Sequence, residues 1–241
     1  MVENPNKRML EIKRHFEREA KRFDKCFFKV APFYREAIEA LVLSLPFKNS
    51  RKLKIIDLGC GTGNITMAVK ERYPDASVVC IDLARNMLDL ARAKLKKYGN
   101  IEYWSGDIRD YDYTGKCDAV ISSLVLHHLE KTDKKEFYRK IHNALPSNGV
   151  FYIADFLLPS SDYLAKVYID QWKRFMTKSL SPAQIAKTLA NHKREDRPAE
   201  LMFELDLLRK TGFKKVDVIW KHYNFCVYGA SSPAGRNSKG V

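Results

Sequence analysis

The stretch Ile55-Ile56-Asp57-Leu58-Gly59-Cys60-Gly61-Thr62-Gly63-Asn64 decides the fold. A β-branched run ends in three glycines at alternate positions, and a helix-forming segment follows. Glycine lets the backbone turn sharply and approach a ligand with no Cβ in the way. The unpaired N–H groups that open the next helix point at the same spot. Residues 53–58 thus read as a buried strand running into a nucleotide-binding loop. Further strand-like runs recur at 77–83, 101–105, 118–124 and 150–156, separated by helical segments at 65–72, 84–97 and 133–145. The last helix opens on a capping-box pair, Asp133 and Glu136, and stops at Pro146. Strands alternating with helices of about a dozen residues imply βαβ units and a parallel sheet covered on both faces.

Ahead of this core, Met9, Ile12, Phe16, Ala20 and Phe23 recur at helical spacing with charges between them, which predicts an amphipathic helix. Behind the fifth strand the alternation breaks. Leu164, Val167, Tyr168, Trp172 and Phe175 mark one helix, and a second starts at Ser181-Pro182 with Gln184 at the capping-box position. A third spans 198–210, with Gly212 just past its end. Strands at 213–220 and 223–228 close the fold. The expected organisation is an N-terminal helical lid (1–52), a nucleotide-binding core (53–156), a helical cap (157–212), closing core strands (213–230) and a disordered tail (231–241).

The chain has 241 residues, 45% of them hydrophobic, enough to bury a sizeable core. No apolar run approaches the ~20 residues of a membrane span. Residues 1–10 are polar and lack the apolar centre of a signal peptide. The five cysteines, Cys26, Cys60, Cys80, Cys117 and Cys226, are dispersed and form no C-x-x-C pair. Free thiols, a reducing cytoplasm and no metal are the expectations. The net charge of +14 is uneven. Residues 1–54 hold 14 Lys/Arg against 7 Asp/Glu, residues 55–130 hold 9 against 11, and residues 131–241 hold 20 against 11. Two basic flanks around an acidic middle attract anionic partners, RNA or a small anionic metabolite among them. They equally describe a well-solvated surface.

Three carboxylates narrow the ligand. Asp82 lies nineteen residues past Gly63 at the end of the second strand, placed to accept both hydroxyls of a ribose. Asp107 ends the third strand, placed for the exocyclic amine of an adenine, with the Ile108 N–H beside it. Asp57 precedes the glycines, where the charge of a pyrophosphate would make it costly and an ammonium or sulfonium would suit it. S-adenosylmethionine fits this set; NAD and ATP do not.

Asp57-x-Gly59-x-Gly61-x-Gly63, Asp82, Gly106-Asp107-Ile108 and Asp118-Ala119-Val120-Ile121-Ser122-Ser123 resemble, in order and spacing, the motifs of class I S-adenosylmethionine-dependent methyltransferases. The resemblance covers about residues 53–156. It implies a Rossmann-like α/β fold with seven strands, the last antiparallel, and S-adenosyl-L-homocysteine as product. By it, Asp57, Gly59, Cys60, Gly61 and Gly63 hold the methionine end, Asp82 the ribose, and Asp107 and Ile108 the adenine. Leu83 and Met87 pack on the adenosine, and Ser123 flanks the sulfonium. The whole chain looks most like the branch containing carboxy-S-adenosylmethionine synthase. Its carriers are His15-Phe16-x-x-x-Ala20-x-x-Phe23-Asp24, Val30-Ala31-Pro32-x-Tyr34, Leu126-His127-His128-Leu129, the helices after strand five, and Tyr223-Asn224-Phe225.

Acceptor-side candidates are fewer. His127 and His128 follow strand four and are candidates for a general base, or for packing against strand five. Cys60 reads as a small loop residue rather than a nucleophile. Tyr34 is either part of a lid over the methionine end or a core tyrosine. Trp172, Arg194 and Arg197 are the candidates for holding an acceptor; an aromatic core position and a solvated turn are the alternatives. Three functions stay in view: transfer of a methyl group to a small polar or anionic acceptor, modification of tRNA or another RNA or synthesis of the carboxylated cofactor, and nucleoside binding without turnover. A homodimer is compatible with all three.

Overall fold

The computed structural model describes residues 5–49, 51–115 and 117–233. Its N-terminal part is α1 (Pro5–Glu19), a 3-10 turn (Ala20–Arg22), α2 (Phe23–Val30) and α3 (Tyr34–Leu43). The alternating core follows as β1 (Lys54–Leu58), α4 (Asn64–Arg72), β2 (Ser77–Asp82), α5 (Arg85–Leu95), β3 (Ile101–Ser105) and β4 (Ala119–Ser123). A 3-10 turn (Leu126–His128) leads to α6 (Lys131–Ala144) and β5 (Val150–Phe156). Then come α7 (Asp162–Met176), α8 (Pro182–Glu195), α9 (Leu201–Lys210), β6 (Lys214–His222) and β7 (Phe225–Ser231).

The strands form one seven-stranded sheet in the order β3-β2-β1-β4-β5-β7-β6. β1 to β5 pair in parallel, and β7 runs antiparallel between β5 and β6. Both faces are covered, as the near-continuous apolar strands require. On one face Ile56, Val120, Phe151 and Tyr228 pack with α6 and α9. On the other, Ile55, Cys80, Ile121 and Val227 pack with α3, α4 and α5.

Several boundaries differ from expectation for identifiable reasons. α3 is a core helix, burying Ala37, Ile38, Leu41 and Val42 against the sheet. The segment left to cover the site is therefore α1 to α2. α9 likewise belongs to the sheet face, through Leu205, Leu207 and Leu208; only α7 and α8 stand over the site. The expected capping box of α6 does not form. The helix starts two residues earlier, after Glu130, and the Asp133 carboxylate is instead 2.7 Å from the Arg109 guanidinium. At α8 both halves of the box are made, Gln184 N–H to Ser181 Oγ and Ser181 N–H to Gln184 Oε1. The expected tail begins later than residue 231: Ser231 pairs with Val150 and Lys214, and Ser232 is buried. Residues 234–241 lie outside the described residues.

Between α6 and α9, the Lys134 ammonium meets the Glu204 carboxylate, which also accepts the Tyr138 hydroxyl at 2.7 Å. Lys134 and Glu204 are both fully buried. Removing one member leaves the other charge stranded in a dry interior. Lys134→Met is expected to destabilise the protein by ~3–5 kcal/mol in urea unfolding. The double variant with Glu204→Gln is expected to recover most of that loss.

Candidate active site

The parallel strands end at one edge of the sheet, where the loops open into a cavity of about 530 Å³. The carboxyl end of an α/β sheet is where such folds bind ligands. Its walls are the glycine loop, the loops after β2, β3 and β4, the inner faces of α1 and α2, and the cap helices α7 and α8. Gly59, Cys60, Gly61, Asp82, Leu83, Met87, Asp107, Ile108, Ser123, Tyr34, His127, His128 and Trp172 all line it. Asp57 and Gly63 lie behind the wall.

The three glycines do different work. All have positive φ, +64°, +53° and +83° in order. A Cβ on Gly59 would lie 2.2 Å from Val125 Cγ2, and one on Gly63 would lie 2.7 Å from Leu95 Cδ1. Those two let the loop seat on its neighbours. A Cβ on Gly61 would meet nothing within 4 Å and would project into open space at the cavity wall. Only the middle glycine leaves room for a ligand.

The carboxylates are arranged around that room. Asp82 accepts the Gly61 N–H and the Ala84 N–H, each at 2.8 Å, one on each oxygen. Burial pushes its carboxyl up to about 6, against the pull of those two N–H groups. Asp57 is fully buried and accepts the Thr66 hydroxyl on Oδ2, while Oδ1 has no partner. Burial pushes its carboxyl up to about 7, with the charge of Asp82 adding to the rise and the Thr66 hydrogen bond opposing it. An orphaned buried oxygen and two carboxyls reluctant to ionise are what a pocket for a cationic adenosine compound shows without its cation. The donor set therefore fits S-adenosylmethionine. After β3, Asp107 is already held by a two-pronged ion pair with Arg109, at 3.0 and 2.6 Å, which in turn reaches Asp133. Arg109 was not singled out in the sequence, since nothing in its spacing distinguishes it from a solvated loop arginine.

At the end of β4 the Ser123 hydroxyl donates to the Tyr34 hydroxyl at 3.1 Å. Cys60 is buried, and its thiol is held well above the ordinary value by the neighbouring Cys80 and by burial. It sits in the cavity wall as a small buried residue of the glycine loop. A latch ties α2 to the glycine loop: Asp24 accepts the Thr62 hydroxyl at 2.6 Å and pairs with Lys94 at 2.7 Å. Trp172 donates its indole N–H to the Val30 carbonyl at 2.7 Å and packs with Phe156 and Phe225, joining cap and lid as well as lining the cavity.

A second polar cluster on the cavity wall is built around Asp196, just past α8. His127 Nδ1 bonds the buried Asp155 of β5, whose other oxygen takes the His127 N–H. The Nε2 of His127 lies 3.6 Å from Asp196 Oδ1, His128 Nδ1 lies 3.2 Å from the same oxygen, and His192 Nδ1 lies 2.5 Å from Oδ2. Burial disfavours the His127 cation, but Asp155 and Asp196 outweigh it and hold the imidazole above its ordinary value. Burial and the charge of His127 push His128 below. Burial alone would raise Asp196, yet the three histidines hold it far below the ordinary carboxylate range. Arg194 and Arg197 do not reach the cavity. Arg194 points outward beside Glu195, and Arg197 bonds the carbonyls of Arg194 and Asp196. The cations on the cavity wall are instead Lys13, Arg22 and Lys187, from α1, the turn before α2, and α8.

The glycine division is testable. Gly61→Ala is expected to keep a near-native melting temperature, apart from about 1 kcal/mol of left-handed strain, and to lose S-adenosylmethionine affinity in calorimetry. Gly63→Ala is expected to do the reverse, losing stability first. Asp57 makes a second test. Its folded-state carboxyl titrates above the unfolded value of 3.8, so its favourable contribution belongs to the protonated form and is lost as pH rises through about 7. Asp57→Asn should therefore raise the melting temperature of the ligand-free protein at pH 8, by roughly 2–6 °C. The gain should shrink toward pH 5 in scanning calorimetry, while affinity for the cofactor falls.

Comparison with known proteins agrees with this geometry. A family model described as a methyltransferase domain matches residues 55–149. A protein named carboxy-S-adenosyl-L-methionine synthase from Campylobacter hominis is 30% identical over 231 residues, spanning 90% of this chain and 95% of that one. One of the same name from Nautilia profundicola is 24% identical over 210 residues, 86% of this chain and 88% of its own. Among solved structures, human N-acetylserotonin methyltransferase in complex with SAM superposes with a TM-score of 0.62 at 16% identity, over 90% of this chain and 57% of that one. The chain is an enzyme that uses S-adenosylmethionine and belongs to the class I S-adenosylmethionine-dependent methyltransferases, in the family of the carboxy-S-adenosyl-L-methionine synthases.

Proposed function

We propose that the protein transfers the methyl group of S-adenosylmethionine to a small polar or anionic acceptor held between the glycine loop and the α7–α8 cap. One observation carries this reading: the same cavity is lined by Gly61, Asp82 and Asp107 and by His127, His128 and Lys187. Both reactants of an in-line displacement have a wall within the same enclosed space.

The cofactor supplies a methyl group already activated on a sulfonium. Displacement needs acceptor, carbon and sulfur nearly collinear, with reacting atoms ~3–3.5 Å apart. Tyr34 and Ser123 border the methionine end, while Asp57 and Asp82 provide the negative field that favours a cation there. Lys13, Arg22 and Lys187 add positive charge to the lining of the same cavity, which favours an anionic acceptor. An acidic acceptor arrives deprotonated and needs no base. An acceptor hydroxyl would find the polar cluster at Asp196, where His127 is held through its Nδ1 by Asp155.

A second reading, synthesis of a carboxylated cofactor, is supported by the relatives that carry that name over nearly their whole length. In it the same cations would hold a carboxylate donor. Mass analysis of reactions with S-adenosylmethionine and a panel of small carboxylic acids and phenols separates the two. Methyl transfer yields S-adenosyl-L-homocysteine and a methylated acceptor, whereas the second reading yields a cofactor heavier by one carboxyl group. Methylated RNA as the sole product would overturn both. In either reaction Asp82→Ala is expected to lower cofactor affinity by on the order of 10–100-fold, since it removes a charged acceptor of hydrogen bonds.

A further inference from the structure

Outside the cofactor wall, the densest group of ligating side chains is the one at Asp196. Among the described residues, His127, His128 and Asp196 each offer one ligand atom, and the three atoms lie within 4.8 Å of one another. We propose that His127 Nε2, His128 Nδ1 and Asp196 Oδ1 bind a divalent first-row transition-metal ion, with its remaining coordination positions open to the cavity.

Four features point the same way. First, two ring nitrogens converge on one carboxylate oxygen. His127 Nε2 is 3.6 Å and His128 Nδ1 3.2 Å from Asp196 Oδ1. Metal–ligand bonds of about 2.0–2.1 Å at tetrahedral angles put neighbouring donors roughly 3.3 Å apart. Second, His128 is 7% exposed, and its Nδ1 has no hydrogen-bond partner although it faces a carboxylate. A buried ring nitrogen left unsatisfied at that distance costs free energy that a metal would recover. Third, the supporting shell is in place. His127 gives its other ring nitrogen to Asp155, the carboxylate–histidine arrangement that fixes a ligating ring. Asp196 gives its second oxygen to His192 at 2.5 Å, which leaves Oδ1 for the ion. Fourth, His127, His128, Asp196 and His192 all line the cavity, so an ion held there has a route in and faces the space where the acceptor would sit.

Two imidazoles and one carboxylate suit zinc or ferrous iron better than magnesium or calcium, which prefer all-oxygen sets. A three-ligand site with open positions is also the form that binds an oxygen of a substrate rather than a closed structural site. On the reading that an anionic acceptor occupies this half of the cavity, the ion would take its carboxylate, phenolate or hydroxyl oxygen. The sequence hid this site because the ligands come from the turn after β4 and the residue after α8, nearly seventy positions apart.

The test uses full-length protein stripped with a chelator and titrated with Co²⁺, then Zn²⁺ in competition. One ion per chain is expected, with visible d–d bands of a nitrogen–oxygen site. Affinity should fall roughly 100-fold or more in His128→Asn and Asp196→Asn, and about 10–100-fold in Asp155→Asn. Calorimetry with S-adenosylmethionine is run on the same samples. Intact cofactor binding with no Co²⁺ site overturns the metal proposal alone, whereas loss of cofactor binding in the wild type overturns the methyltransferase reading. If a variant fails to fold, the wild type still decides. Stoichiometric Co²⁺ lacking thiolate charge-transfer bands supports the site, and weak, non-stoichiometric or thiolate-ligated Co²⁺ overturns it.

Discussion

Two carboxylates are held at the open end of a parallel sheet with only hydroxyl and backbone N–H partners. Asp57 has Thr66, and Asp82 has the N–H groups of Gly61 and Ala84. Neither arrangement neutralises a charge, and burial pushes both carboxyls up toward neutrality. In a finished interior this would be a flaw, because an unpaired buried charge is among the costliest groups a fold can carry. At a binding site it becomes a preference for whatever cation completes it. The glycine loop follows from the same requirement. Asp82 can take the Gly61 N–H only if the chain turns through positive φ there, and the turn leaves the space that a ligand enters.

The remainder of the chain encloses that space. α1 and α2 approach from one side and α8 from the other, and ion pairs join them across the mouth. Arg8 of α1 reaches the carbonyls of Glu195 and His128, and His15 meets the Glu195 carboxylate at 3.1 Å. Asp24 fastens α2 to the glycine loop, and Trp172 fastens α7 to the end of α2. These are polar fastenings over a thin apolar layer, the kind of segment that opens and closes at lower cost than a core helix. The core layers beneath are closed by apolar packing on both faces of the sheet and have no such freedom.

What could be read in the residues, and what could not, divides along the distance between partners. The five parallel strands, the helices between them and the cofactor wall were legible because each depends on local sequence: a β-branched run, a glycine at a fixed offset, an acidic residue at a strand end. α3 falls within the expected lid segment 1–52 yet belongs to the core, because Ala37, Ile38 and Leu41 look the same in sequence whether they cover a sheet or a ligand. The Asp133 box failed because a distant arginine offered a better partner than the local backbone. Arg194 and Arg197 attracted notice as a run of cations, yet their position at the end of α8 turns them away from the cavity. The cations that do line it, Lys13, Arg22 and Lys187, stand alone in three separate helical segments and carry no local mark. Asp155 and Asp196 were invisible for the same reason.

The cavity lining mixes charges of both signs. It carries Asp82 and Asp107, with Asp57 behind the wall, and also Lys13, Arg22, Lys187 and the histidines around Asp196. Charges inside a partly dry cavity act at higher strength than in water. On the proposed function, Asp57 and Asp82 would favour a sulfonium beside them, and Lys13, Arg22 and Lys187 would favour an anionic acceptor. Transfer of the methyl group would remove a positive charge from the cofactor and, for an anionic acceptor, a negative charge from the acceptor. Both products would then be held less tightly than the reactants, which is the direction that turnover requires.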